Sequence, residues 1–233
     1  MLQVEDIRVG YADSNVIWDV SLEVRDDIVA ILGRNGAGKT TLLRGIIGQN
    51  PPTQGEVTFE GTTISGLKPH RIAAKGIGYV PQSRDIFGSL SVEDNIRLGS
   101  ASKEGRLLDD EIEDFIFEYF PALEEKRNAR GSTLSGGQQQ QLAIGRALNS
   151  DPDLLLLDEP SEGIQPSIVK EIGDRLNRLS REQDISVLIV EQNLDLVKRV
   201  AEYCYIMESG NIVAEDDLDE LLAEGRIEKH LSV

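Results

Sequence analysis

At 233 residues the chain is long enough to bury a substantial core as one domain with a subdomain inserted in it. A net charge of −17 disfavours a nucleic-acid partner and repels anionic lipid, so any membrane attachment is expected to run through protein. A single cysteine excludes an internal disulfide framework, no apolar run approaches the ~20 residues that span a bilayer, and no basic-then-apolar secretory pattern opens the chain, so a reducing cytoplasm is the expected compartment.

Taken in chain order, Val16, Trp18, Val20, Leu22 and Val24 alternate with period two, and GEVTFEG at 55–61 continues in that style. Both predict antiparallel strands with one face buried. Between them, IVAIL at 28–32 is a continuous apolar run suited to a strand buried on both faces. It leads into GRNGAGKT at 33–40 and then TLLRGIIG at 41–48, which opens as a helix. Gly33, Gly38, Lys39 and Thr40 match G-x-x-x-x-G-K-[ST], with Gly36 as an added glycine. Strand, glycine loop and helix start form the context a phosphate-binding loop requires, and they oppose the rival reading of an ordinary glycine turn. The main chain of Gly33, Arg34, Asn35, Gly36, Ala37 and Gly38 is expected to curl around phosphate oxygens with its N–H groups inward, aided by the positive end of the helix. Lys39 is expected to reach the β- and γ-phosphates, the Thr40 hydroxyl to ligate Mg²⁺, and Thr41 to bond an α-phosphate oxygen.

From 83 to about 133 the pattern turns helical, with Ile112, Phe115, Ile116 and Tyr119 at i, i+3, i+4 and i+7. Ile86, Phe87 and Leu90 are apolar in an otherwise polar, loop-like segment, serving either as a docking surface or as local packing. Ser135 and Gln138 form a capping box for the helix QQQQLAIGRAL, and with Gly136 and Gly137 the same helix start is another anion site. Residues 154–157 are four leucines, a further buried strand, running into Asp158 and Glu159 and stopped by Pro160. Two acids beyond a strand are often a solvated turn. Beside a phosphate loop, Asp158 can hold Mg²⁺ and Glu159 can orient or deprotonate an attacking water. Pro166 suits a first helical turn, followed by an apolar face of Ile168, Ile172, Leu176 and Leu179. Residues 185–190 make another buried parallel strand, YCYIM and GNIVAE close as a hairpin around a buried Cys204 thiol, and EDDLDE at 215–220 reads as a solvated helix start.

The string LSGGQ at 134–138, between GRNGAGKT and LLLLDEP, makes the pattern specific. Over residues 2 to about 214 the chain resembles the nucleotide-binding subunit of ATP-binding cassette (ABC) transporters. The resemblance implies an α/β P-loop NTPase: a RecA-like parallel-sheet core with an antiparallel β-subdomain (1–82 and 139–214), an inserted α-helical subdomain (83–138), and a helical tail (215–233). It implies that Ser135, Gly136, Gly137 and Gln138 bind the γ-phosphate of ATP held by an opposite subunit. The active form would then be a head-to-tail pair of cassettes, identical or different, with two ATPs between them. Tyr11 would stack on adenine. Gln82 would sense Mg²⁺ and γ-phosphate and pass that state to transmembrane permease subunits. Two departures from the family stand out. Gln192 falls where a histidine usually contacts the γ-phosphate; its amide can hydrogen-bond but cannot take a proton near neutral pH, leaving Glu159 as the catalytic base. Gln165 replaces the usual aspartate in SEGIQP, which puts the usual cross-dimer contact there in doubt, though Ser161 remains.

DEPSEGIQP, IVEQN and the short chain narrow the resemblance to the second ATPase of branched-chain amino acid importers, with urea and short-amide importers closely similar. That implies a peripheral place on the cytoplasmic face of the membrane, permease partners and, indirectly, a solute-binding protein. An exporter and a soluble ABC ATPase acting on nucleic acid or ribosomes are the alternatives. The soluble kind usually carries paired cassettes, coiled-coil insertions or basic linkers, and none is visible here.

Overall fold

A computed structural model of the chain describes residues 1–11, 14–25, 28–102 and 114–231. The chain opens with β1 (Leu2–Tyr11), β2 (Ser14–Val24) and β3 (Ile28–Gly33), then α1 (Lys39–Ile46), β4 (Gln54–Phe59) and β5 (Thr62–Thr63). Next come α2 (Pro69–Ala73), β6 (Ile77–Val80), α3 (Val92–Arg97), α4 (Asp114–Tyr119), α5 (Pro121–Glu124) and α6 (Gly136–Leu148). The remainder is β7 (Leu154–Asp158), α7 (Pro166–Gln183), β8 (Ser186–Glu191), α8 (Leu194–Val200), β9 (Tyr203–Glu208), β10 (Asn211–Asp217), α9 (Leu218–Ala223) and α10 (Arg226–Leu231).

These strands form two sheets. One is antiparallel in the order β2-β1-β4-β5; the other runs β10-β9-β3-β8-β7-β6, parallel except for the edge strand β10. The expected α/β architecture is therefore present. Its central strands read as unbroken apolar runs because they serve two cores. Ala30, Leu32, Leu155, Leu157, Val187 and Ile189 join the core shared with α6, α7 and α8. Their alternate neighbours Val29, Ile31, Leu154, Leu156, Leu188 and Val190 join the core between the two sheets. At about 1.5–3 kcal/mol for each fully buried aliphatic side chain, this double burial fixes the register of β3, β7 and β8. Their carboxyl ends carry the site.

The alternation expected along β2 breaks in the middle. Ile17 is buried while Trp18 is 43% exposed; Val20, Leu22 and Val24 point inward as expected. The reason is a bulge: Ile7 pairs with Val20 and Val9 with Ile17, so β2 takes three steps where β1 takes two. Asp19 adopts a left-handed backbone with φ 47°, and its carboxylate is tied to Arg8 at 2.6 Å, with that guanidinium 5.9 Å from the Trp18 ring. The acids at 215–217 also differ from expectation. They lie on β10, which pairs with β9 as far as Asp217, and the helix starts only at Leu218. Cys204 is fully buried, and burial pushes its thiol up to about 12. Within the helical stretch, Ile116 and Tyr119 are buried and Phe115 packs beside them; Ile112 lies outside the described residues. Among the described residues no helix is long and apolar enough to cross a membrane.

Candidate active site

The glycine loop folds as its sequence requires. Gly36 and Gly38 take φ of 83° and 110°, where an L side chain is strained, and a Cβ on Gly38 would lie 2.8 Å from Ile17 Cδ1. The loop is held by main-chain bonds: Ala37 N–H donates to Arg34 O at 3.0 Å within it, and Gly210 N–H, between β9 and β10, donates to Ala37 O at 2.8 Å. Gly38 precedes α1 without a side-chain cap, so the first N–H groups of that helix are left for a ligand. Lys39 opens α1. It is only 3% exposed, and its ammonium donates to Gly33 O at 2.7 Å and Arg34 O at 3.2 Å while pairing with Glu159 Oε1 at 2.8 Å.

Asp158 ends β7 and is 1% exposed. It accepts the Thr40 hydroxyl at 3.0 Å and the Tyr79 hydroxyl at 3.2 Å. Burial raises its carboxyl, and those two hydrogen bonds act the other way. Burial, followed by the Asp158 charge, pushes the Tyr79 phenol well up, so it stays a donor. Glu159 sits just past the strand with a left-handed φ of 45°, its N–H bonded to Val190 O at 2.9 Å. Gln82 Nε2 reaches Glu162 at 2.7 Å and Glu159 at 3.4 Å. A cleft of about 350 Å³ opens here, with Arg44, Tyr79, Gln82 and Asp158 in its wall. The paired Thr40 hydroxyl and Asp158 carboxylate are hard oxygen donors, a set that fits Mg²⁺.

Tyr11 ends β1. It is 48% exposed, and its hydroxyl lies 3.4 Å from Arg44 Nη1, which holds the phenol below its ordinary range. Thr41 is buried on α1, and Gln192 is exposed just beyond β8.

The signature string is placed differently. Ser135 caps α6 in a full capping box: Gln138 N–H donates to Ser135 Oγ at 3.4 Å, and Ser135 N–H donates to Gln138 Oε1 at 3.2 Å. Lys126 Nζ also donates to Gln138, at 3.0 Å. Gly136 neighbours Arg84 and Gly163, and a Cβ on Gly137 would meet Ile168 Cγ2 at 2.7 Å. None of these neighbours belongs to the phosphate loop, whereas Lys39, Thr40, Gln82, Asp158 and Glu159 do come together. Gln165 is the N-cap of α7, ahead of Pro166 at the first helical position.

Tyr79, Glu162 and Glu191 belong to the site without having been singled out from sequence. Glu191 could have been: it is an acid closing a buried run, the same signal that marked Asp158. A larger cleft, about 400 Å³, shares Tyr79 but is otherwise lined by Ile47, Ile72, Phe87, Leu98 and Arg146. Phe87 is 50% exposed there, with the Arg146 guanidinium 5.4 Å from its ring, while Ile86 packs against the core.

Residues 17–162 match the ABC transporter family. The chain is 39% identical to the high-affinity branched-chain amino acid transport ATP-binding protein BraG of Pseudomonas aeruginosa, across 97% of each chain. It is 34% identical to the lipopolysaccharide export system ATP-binding protein LptB of Escherichia coli, over 98% of this chain and 95% of that one. A bacterial ABC transporter cassette solved as a dimer superposes with a TM-score of 0.82 at 25% identity, covering 94% of this chain and 99% of that one. The chain belongs to the ABC transporter family and is one of its ATPase cassettes.

Proposed function

We propose that this cassette drives an importer of branched-chain amino acids, held at the cytoplasmic face of the membrane by separate permease subunits. The observation that carries the reading is the near-full-length identity to BraG. DEPSEGIQP and IVEQN, which shaped the same expectation from sequence, span the ends of β7 and β8 and the loops that follow them.

The chemistry follows from the residues in place. Loop 33–38 and the N-terminus of α1 bind the phosphates of ATP, Thr41 adds a hydroxyl, and Tyr11 lies under the adenine. Lys39 exchanges its contact with Glu159 for the β- and γ-phosphate oxygens. Thr40 and Asp158 hold Mg²⁺, with Gln82 as the third residue assigned to it; once bound, the ion offsets charge on those oxygens. Glu159, released from Lys39, orients and deprotonates the attacking water. Gln192 offers a hydrogen bond to the terminal phosphate and takes no proton.

Residues 135–138 serve the ATP of a facing cassette, a reading supported by their neighbours within the chain, Arg84, Lys126, Gly163 and Ile168, none of which belongs to its own phosphate loop. On this reading 83–138 form the helical subdomain that presents the string, between core segments 1–82 and 139–214, with 215–233 as the tail. The cleft around Phe87 receives the permease, which in turn works with a solute-binding protein. Lipopolysaccharide export is the second reading, favoured by the identity to LptB.

The test is reconstitution of the chain, with the membrane proteins that co-purify with it, into proteoliposomes. ATP-dependent uptake of labelled leucine, isoleucine or valine, abolished by Glu159→Gln, is the expected result. Uptake of urea instead, extraction of lipopolysaccharide, or recovery of the chain with ribosomes or DNA overturns the assignment.

A further inference from the structure

All six residues of β8 are buried, and the last of them is Glu191, only 2% exposed. A buried carboxylate is costly unless its oxygens are fully bonded. Here they are bonded almost entirely by main chain. Oε1 accepts the N–H of Ser161 at 2.9 Å, and Oε2 accepts the N–H groups of Gln192 and Asn193, both at 3.0 Å. Burial raises the carboxyl, and the hydrogen bonds from Asn193, Ser161 and Gln192 counter it.

The donors come from two different loops. One follows β7 and carries Glu159 and Ser161; the other follows β8 and carries Gln192 and Asn193. A second bond, Glu159 N–H to Val190 O at 2.9 Å, ties the first loop to β8 itself, one residue before Glu191. Glu159 itself is held in the left-handed region, a conformation that a glutamate keeps only where its flanks are restrained. The two bonds supply that restraint on either side of Pro160. On the second loop, Asn193 continues the chain of contacts by capping α8, its Oδ1 accepting Asp195 N–H at 3.1 Å and Leu196 N–H at 3.4 Å. The three main-chain donors belong to two site loops, and this one carboxylate accepts from both, so removing it would leave N–H groups on each loop without their acceptor.

We infer that Glu191 is a positioning residue for ATP hydrolysis: its carboxylate clamps the loop of Glu159 and Ser161 to the loop of Gln192, so that the groups facing the terminal phosphate are set as one body. The inference rests on the roles given above to Glu159 and Gln192. It adds a residue that touches neither nucleotide nor water and acts only through the two loops.

Glu191→Gln keeps the shape but leaves one acceptor oxygen, so one loop loses its partner. In the full chain, within whatever complex hydrolyses ATP, kcat is expected to fall at least tenfold while the Kd for ATP stays within about twofold of wild type, because loop 33–38 and α1 are untouched. Glu191→Asp keeps the charge but is one carbon short of spanning both loops, and is expected to lose turnover in the same way. Unchanged kcat overturns the inference. So does a parallel loss of kcat and ATP affinity, which marks a purely structural role. Should the variants fail to fold, amide hydrogen exchange on the wild type decides: Ser161, Gln192 and Asn193 should open together, and free exchange of Ser161 alone contradicts the clamp. Glu159→Gln measured alongside separates the two levels. If that variant hydrolyses ATP normally, the site assignment itself is wrong, whatever Glu191 does.

Discussion

At the ends of β3, β7 and β8 the buried charged groups are answered by partners inside the site: Lys39 by Glu159, Asp158 by Thr40 and Tyr79, Glu191 by three main-chain donors. These strands are locked from both faces by apolar packing. The segment from 83 to 135 packs Val92, Ile96, Ile116, Phe120 and Leu123 into the same core as α6, but the chain enters it in another manner. Its described α-helices have six residues or fewer, and it begins with two successive left-handed residues, Arg84 and Asp85, at φ 66° and 45°. Polar clasps hold that start. Arg146 donates to Asp85 O at 2.7 Å and Arg84 O at 3.1 Å, and Arg84 donates to Gln140 Oε1 at 3.1 Å and Glu162 O at 3.0 Å. A doubly packed sheet cannot be rearranged piecemeal, whereas the few hydrogen bonds that hold the entry at Arg84 and Asp85 can be broken and remade. The chemistry proposed above sits on the first, and the surfaces proposed for partners sit on the second.

The contrast can be broken at the chemical end first. Glu159→Gln should lower kcat by about 10²–10⁴, the worth of a positioned general base, with ATP still bound, as phosphate release and nucleotide binding would show. Leu156→Ala, inside the sheet, should cost about 2–5 kcal/mol of stability by denaturant melting, the toll of a buried cavity. Arg146→Ala strikes that entry instead. It should cost about 1.5–3 kcal/mol in stability for its bonds to the two strained carbonyls, and amides near 84–95 should exchange faster while ATP affinity holds. The smallest effect is expected from Gln192→Ala, about tenfold in kcat for one hydrogen bond. A larger loss there, of the size expected at Glu159, would mean that the glutamine does more than position.

Much of this was legible in the sequence, for a physical reason. Phosphate chemistry demands glycines at φ values such as those of Gly36 and Gly38, and strands buried on both faces leave unbroken apolar runs, so 28–40 and 154–159 announce themselves. The capping box of Ser135 and Gln138 was readable because it is local. Reversal of the β2 face at Ile17 was not, since a bulge is set by pairing with β1 and not by any property of Trp18 or Asp19. Glu215, Asp216 and Asp217 read as a helix start from charge alone, yet the ladder to β9 claims them. Tyr79 and Glu162 escaped notice because their partners, Asp158 and Gln82, lie 79 and 80 residues away along the chain.

The central claim is that the terminal phosphate of ATP is shared between two cassettes. Its most direct test is the structure of Glu159→Gln with ATP bound, determined in the complex in which the chain co-purifies. The account predicts the Ser135 hydroxyl and the main chain of 136–138 against the γ-phosphate of an ATP seated in the facing cassette's glycine loop. An ATP whose γ-phosphate is bonded by residues of one chain alone, with Ser135 left in solvent, would contradict it.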